Sequence, residues 1–313
     1  MQIKPITIGN ITVKNNVWMA PLAGYTNYPF RKLCYKLGAG LAFTEMVSCK
    51  GLKYGNENTT ELLVTGEEEE VKAAQIFGCD PEVMRRACEG EALAPFPIVD
   101  INMGCPMPKI YNNGEGSALL ENPALAERVV SEVKKSGKIV TVKMRTGIRA
   151  GQEITEEFAR RMEGAGASLI SVHGRTKDKI YAGEPNYAEI ERAKRAVNIP
   201  VMGNGGIFSK EDADRMMERT GADGVLLARG ALYHPRLFCE IFEREKPPFK
   251  ELFLEELHDT SFLYGEHFAV VFMRKMASFY VKGMRGANEL KNALFQCKSV
   301  IEIEEIVNGL NWD

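Results

Sequence analysis

A cysteine stands on a glycine- and proline-framed loop directly after an apolar strand, in Pro97-Ile98-Val99-Asp100-Ile101-Asn102-Met103-Gly104-Cys105-Pro106. The strand alternates up to Asn102. Gly104 and Pro106 then stop it and hold Cys105 at its carboxyl end. A thiol on a rigid turn at a strand end is displayed rather than packed away, and in a parallel α/β protein that edge carries the chemistry. Such a thiol can be a nucleophile, a proton donor or a metal ligand. The seven cysteines follow irregular spacings with no Cys-x-x-Cys pair, which suggests neither a disulfide framework nor a zinc site and argues against a bound metal. Cys34, Cys49, Cys79, Cys88, Cys239 and Cys297 read as small buried hydrophobes.

Other strand ends are polar in the same way. Lys143 and Arg145 lie two apart and share a strand face, while Val142 and Met144 point to the layer under the helices. A lysine aimed into a barrel interior is costly without an anionic or carbonyl partner. Gln75 offers both donor and acceptor to the amide edge of a flat heterocycle. His173 ends its strand opposite Lys143 and can donate to a ring nitrogen or carbonyl.

Gly203-Asn204-Gly205-Gly206 and Arg229-Gly230 follow the last two apolar runs. Loops at those two places commonly bind phosphate: the glycines allow close approach and Arg229 can fork onto the oxygens. A heterocycle with a single phosphate tail fits FMN better than NAD. A flavin gives Cys105 a role, because hydride addition to a conjugated C=C bond needs a proton on the neighbouring carbon. A thiol of ordinary pKa ~8.5 is mostly protonated near neutrality and can supply it.

These residues need a frame. Apolar runs recur at 17–20, 41–46, 72–77, 98–102, 139–144, 168–173, 200–203 and 224–227, with amphipathic stretches such as 81–89, 123–135, 156–163 and 209–219 between them. Ser209 precedes an acidic first turn as an N-cap would. The first run leads into Met19-Ala20-Pro21-Leu22-Ala23-Gly24, not Gly-x-Gly-x-x-Gly, which disfavours a doubly wound sheet. The pattern predicts an α/β chain: a (β/α)8 TIM barrel over 1–245, then a C-terminal all-helical domain over 246–313. Lys246-Pro247-Pro248 marks the linker, and helices are expected at 235–245, 251–265, 266–282, 288–296 and 299–310.

The apolar fraction of 45% and charged fraction of 26% are those of an ordinary globular protein, and a net charge of -2 leaves any nucleic-acid site to a local patch. Met1-Gln2-Ile3-Lys4-Pro5 lacks a signal-peptide core and no apolar run has membrane-spanning length, so a cytoplasmic protein is expected.

Together, residues 19–26, Gln75-Ile76-Phe77-Gly78, Asn102-Met103-Gly104-Cys105-Pro106 with Lys109 and Gly116-Ser117-Ala118-Leu119-Leu120, Val142–Gly147 and His173-Gly174-Arg175-Thr176 resemble the bacterial-type tRNA-dihydrouridine synthases, in order and over nearly the whole chain. The resemblance implies FMN-dependent reduction of particular uridines in tRNA, with NADPH (or NADH) as electron source, hydride passing from flavin N5 to uracil C6 and Cys105 protonating C5. It implies that Pro21, Leu22, Ala23, Gln75, Lys143, His173, Asn204, Gly205, Gly206, Arg229 and Gly230 hold FMN, and that Asn102, Arg145 and Tyr181 contact the uracil or its nucleotide. The chain departs from the family's pattern at Pro185-Asn186-Tyr187, at Lys179 and at Arg274-Lys275-Met276.

Between 274 and 298 the bases Arg274, Lys275, Lys282, Arg285, Lys291 and Lys298 face one acid, Glu289. A solvated face is the ordinary reading of such a run. With tRNA already implied, Arg274, Lys275 and Lys282 are expected to contact its phosphates, while Phe279 and Tyr280 read as core. Two alternatives are an FMN barrel acting on free bases, of the dihydropyrimidine or dihydroorotate dehydrogenase kind, and a non-catalytic tRNA-binding module.

Overall fold

A computed structural model describes residues 1–281 and 286–309. Strands β1 (Ile6–Ile8) and β2 (Ile11–Val13) form an antiparallel hairpin. A parallel sheet follows, from β3 (Val17–Met19), β4 (Val47–Ser48), β5 (Ala73–Phe77), β6 (Ile98–Met103), β7 (Ile139–Arg145), β8 (Leu169–His173), β9 (Val201–Asn204) and β10 (Gly224–Leu227). Its order is β3-β10-β9-β8-β7-β6-β5-β4. Parallel bridges Met19–Ala42 and Phe43–Ala73 join the remaining edges, so the sheet curls into the expected barrel.

One run departs from expectation. The stretch 41–46 pairs only at Ala42 and Phe43 and resumes as β4. Thr44 Oγ1 takes the N–H of Gln75 in place of a ladder carbonyl, and the Glu45 carboxylate turns to the N–H of Gly24. The β1–β2 hairpin was not expected at all, being too short to show a period.

Between the strands lie Pro81–Glu89, Pro123–Lys134, Thr155–Gly164 and Lys210–Thr220, close to their expected bounds. Asp80, Asn122 and Ser209 cap three of them by accepting the N–H of Val83, Leu125 and Asp212. Such caps satisfy donors that the first helical turn leaves unpaired.

Strand alternation divides the core. Outward residues such as Val142 and Met144 pack under the helices. Inward Trp18, Phe43, Ala73, Ile98, Ile139 and Leu169 fill the lower barrel together with Ile6, Ile8 and Val13 of the hairpin, which plugs it. Above this apolar floor the inward residues turn polar, row by row. Gln75, Asp100 and Thr141 are ladder neighbours; so are Asn102, Lys143 and Ser171, and then Arg145, His173 and Asn204.

The expected helix at 235–245 is limited to Leu237–Ile241. Helices Phe249–Tyr264 and Glu266–Tyr280 follow the Pro247-Pro248 segment, then Ala287–Gln296 and Val300–Asn308. Phe249–Tyr264 packs against Tyr28–Leu37 of the barrel, with Lys32 Nζ 2.7 Å from Asp259. Lys282 and Arg285 lie outside the described residues. Among the described residues no helix is long and apolar enough to cross a membrane.

Glu256 is buried in this helical array, its Oε2 accepting the Tyr280 hydroxyl at 2.8 Å. Burial pushes its carboxyl up to about 8, against the Tyr280 bond and the charge of Lys275, with Asp259 adding to the rise. A carboxyl raised on folding stabilises fully below its unfolded value and loses that contribution as pH rises through its folded value. Thermal denaturation should therefore show a Tm that falls from about pH 5 to about pH 8 and levels off above that. Glu256→Gln should flatten that slope while leaving the Tm near pH 4.5 nearly unchanged; a slope equal to that of the unmutated protein would assign the effect to other groups.

Candidate active site

The polar rows open into a cavity of about 520 Å³ at the carboxyl ends of the strands. Pro21, Leu22, Ala23, Gln75, Asn102, Cys105, Lys143, Arg145, His173, Tyr181, Asn204, Gly205, Gly206, Arg229 and Gly230 all line it. The strand-end residues singled out in the sequence thus share one space.

Asn102, the penultimate residue of β6, shapes the loop beyond it. Its Oδ1 accepts the N–H groups of Gly104 (3.1 Å) and Cys105 (2.9 Å), turning the chain sharply at the thiol. Ser117 Oγ donates to the Cys105 carbonyl at 2.8 Å and the Ser117 N–H reaches the same oxygen, so the later Gly116-Ser117 segment braces the loop. Cys105 is half-buried. Burial raises its thiol above the ordinary range, partly offset by the Met107 N–H and the charges of Arg145 and Lys143. The thiol is therefore protonated at neutral pH, which suits an acid better than a nucleophile. Of the other cysteines, Cys79 is half-buried and the rest are buried.

Lys143 Nζ donates to Asn204 Oδ1 at 3.2 Å, and Asn204 Nδ2 donates to the Leu226 carbonyl. Burial and then the charge of Arg145 lower the Lys143 ammonium to about 8, with Asp100 and Cys105 opposing. Two further ammonium protons remain for an acceptor in the cavity.

His173 is held well below the usual imidazole range, first by burial and then by Arg145, Lys143, Arg175 and Arg229 around it. Its ring is neutral. Arg175 Nη1 stands 3.2 Å from His173 Nε2, and a guanidinium only donates, so the ring proton sits on Nδ1.

Arg145 is a tie as much as a ligand. Its Nε donates to the Gly104 carbonyl (2.8 Å) and its Nη1 to the carbonyls of Thr176 (3.1 Å) and Ile180 (2.9 Å), fastening the cysteine loop to the loop that carries Tyr181. Tyr181 is 48% exposed at the mouth, with the Arg229 guanidinium 4.1 Å from its ring centroid.

Across the mouth, the loops after β9 and β10 interlock. Gly205 and Gly206 have φ of +112° and +69°, and a Cβ on Gly205 would lie 2.7 Å from His173 Cδ2. A Cβ on Gly230 would lie 2.0 Å from the Ile207 carbonyl oxygen. Side chains are excluded at both places, so backbone itself forms this wall. Arginine, lysine, imidazole N–H and bare backbone fit a planar heterocycle bearing one phosphate.

Two expected tRNA contacts are occupied within the protein. Lys275 donates to the Gly24 carbonyl and lies over the Tyr25 ring, and Arg274 donates to the Cys297 carbonyl. Lys275 turns inward where its helix meets the barrel, and Arg274 where the same helix packs against Ala287–Gln296, whose end supplies the carbonyl. Phe279 is not simply core. It lines the cavity and stacks on Tyr233 at 5.1 Å, so the helical segment supplies part of the wall. Tyr280 is buried as expected. Sequence reasoning passed over Asp100, although an acid between Val99 and Ile101 on an apolar strand was a visible signal. It is buried beneath Gln75 and Asn102.

Comparison with known proteins agrees with this geometry. A family model described as dihydrouridine synthase (Dus) matches residues 18–310. The chain is 35% identical over 313 residues to tRNA-dihydrouridine synthase B of Pseudomonas aeruginosa, covering 94% of each chain. It is 36% identical over 286 residues to the protein of that name in Vibrio cholerae, covering 88% of this chain and 89% of that one. Probable tRNA-dihydrouridine synthase 1 of Synechocystis is 35% identical over 316 residues, covering 97% and 89%. Among solved structures, a 2-naphthoyl-CoA reductase complex has a TM-score of 0.60 at 12% identity, over 77% of this chain and 52% of that one. The old yellow enzyme homologue of Zymomonas mobilis has a TM-score of 0.52 at 14% identity, over 77% and 92%. These two likenesses are of fold.

Proposed function

The chain belongs to the dihydrouridine synthase family, a family of oxidoreductases, and on that premise we propose that it reduces uridines of tRNA to 5,6-dihydrouridine with FMN as cofactor and NADPH or NADH as electron source. The observation that carries this reading is a protonated thiol, Cys105, sharing one strand-end cavity with Lys143, His173, Asn204 and the bare backbone of Gly205 and Gly206.

A reduced flavin held by these residues would supply the hydride for uracil C6. The chain's own residues do the rest. Arg229 and the wall of Gly205, Gly206 and Gly230 suit the phosphate. Lys143, Gln75 and the Nδ1–H of His173 suit the acceptors of the ring, beside Pro21, Leu22 and Ala23. Cys105 holds the proton destined for C5 and is returned to the thiol by solvent at the mouth. Asn102, Arg145 and Tyr181 orient the base. A base must leave its stack to reach this depth, at a cost of a few kcal/mol, and Tyr181 offers its ring to the extruded nucleotide. The helical domain from 246 is assigned to the body of the tRNA.

The direct test is to purify the protein and to map dihydrouridine in tRNA from a strain lacking it. Flavin bound one to one, and dihydrouridine restored at defined positions by the protein with NADPH, are expected. A colourless protein, or one active on free uracil and inert on tRNA, overturns the reading.

A further inference from the structure

Beneath the cavity a chain of side-chain hydrogen bonds runs from a buried carboxylate to the catalytic loop. Asp100 Oδ2 accepts from Gln75 Nε2 at 2.7 Å and Asp100 Oδ1 accepts from Thr141 Oγ1 at 2.7 Å. Gln75 Oε1 accepts from Asn102 Nδ2 at 2.8 Å, and Asn102 Oδ1 accepts the N–H groups of Gly104 and Cys105.

The two ends of an amide are alike in shape, so only hydrogen bonding decides which way each points. An ionised carboxylate accepts and cannot donate. Gln75 must therefore turn its NH2 to Asp100 and its oxygen to Asn102, which agrees with the demand of the Gly104 and Cys105 N–H groups at the other end. Reversing either amide sets N–H against N–H.

We propose that Asp100 is a positioning residue whose carboxylate fixes the direction of the Gln75 and Asn102 amides, and through them the seat of Cys105 and a row of N–H donors on the cavity wall. Each of the two amide nitrogens carries a second N–H, that of Asn102 resting on the weak acceptor Met46 Sδ at 3.8 Å, and both residues line the cavity. A ligand edge on that wall must then accept hydrogen bonds. A pyrimidine carbonyl meets that demand; the amino group of cytosine does not. In its consequence for turnover the inference rests on the function proposed above.

The charged group facing Asp100 is Lys143 of β7, while Gln75 of β5 and Thr141 of β7 bond to it directly. Burial brings Asp100 to about 6, against those two bonds and the Lys143 charge. Below that pH the carboxyl gains a proton and can donate, and the chain loses its fixed direction.

The test compares the unmutated protein, Asp100→Asn and Thr141→Val in the flavin-loaded enzyme. Asparagine at 100 can present either end to Gln75. At saturating flavin, Asp100→Asn should lower the turnover of tRNA about tenfold or more, with KM for tRNA within about twofold, and should remove the acid limb near pH 6 from the rate profile. Thr141→Val withdraws one bond from the carboxylate and should move that limb to higher pH. Independently of turnover, alkylation of Cys105 by iodoacetamide, followed by peptide mass spectrometry with Cys79 as internal reference, should change about threefold or more in Asp100→Asn. Turnover, pH profile and Cys105 alkylation all matching the unmutated protein overturn the inference. Should Asp100→Asn fail to fold, an unmoved acid limb in Thr141→Val overturns it. If the unmutated protein makes no dihydrouridine, the reading of function fails, and the alkylation comparison decides the inference alone.

Discussion

Replacing Cys105 by alanine is expected to cut dihydrouridine formation by about 10²- to 10⁴-fold, the range that a positioned general acid contributes, while flavin content and tRNA affinity stay within about twofold. The thiol sits at the bend that Asn102 and Ser117 hold from either side; these two reach its backbone, while the sulfur takes the Met107 N–H. Removing the sulfur gives up the Met107 N–H contact and leaves the bonds of Asn102 and Ser117 to the backbone intact. Burial keeps the thiol protonated into mildly alkaline solution. Mixing the reduced enzyme with tRNA and quantifying dihydrouridine over time checks the loss. Serine, a far weaker acid, should fail to rescue it. Flavin lost from the alanine variant would make the thiol a structural group, and an undiminished rate would place the proton source elsewhere.

Lys143→Met is expected to weaken flavin binding about tenfold to a hundredfold, the equivalent of one charge-assisted hydrogen bond of about 1.5–3 kcal/mol. The pH dependence has a definite sign. Burial lowers the ammonium to about 8, so the charged form that binds an acceptor prevails below that pH and is lost above it. Affinity of the apoprotein for FMN, followed by fluorescence quenching from pH 6.5 to pH 9, should be highest at the acid end and fall beyond about 8. The methionine variant should bind weakly and evenly across the range. A flat profile in the unmutated protein would show that Lys143 does not meet the flavin.

Much of this site was legible in the sequence because strands alternate with a period of two and a barrel gathers their ends. Cys105, Lys143, His173 and Asn204 each close an apolar run, and the ladder brings them to one rim. Asp100 was hidden by the same habit of reading ends, since its value lies mid-strand in what its neighbours on β5 and β7 need. Lys275 and Arg274 look like a free basic face until the packing of Glu266–Tyr280 supplies carbonyls for them, which no local pattern encodes. Phe279 shares its helical spacing with true core residues, and only the placement of that helix beside Tyr233 brings it to the cavity. The break at 44–46 depends on one hydroxyl replacing one ladder carbonyl, a choice below the resolution of hydrophobic pattern.

Because Ile6, Ile8 and Val13 stopper the lower end of the barrel, the cavity is a vessel with one door. On the function proposed, the molecule that charges the cofactor and the base that discharges it would share that opening, which Tyr181 and Phe279 both line. They would take turns, with the electrons held in the vessel between visits.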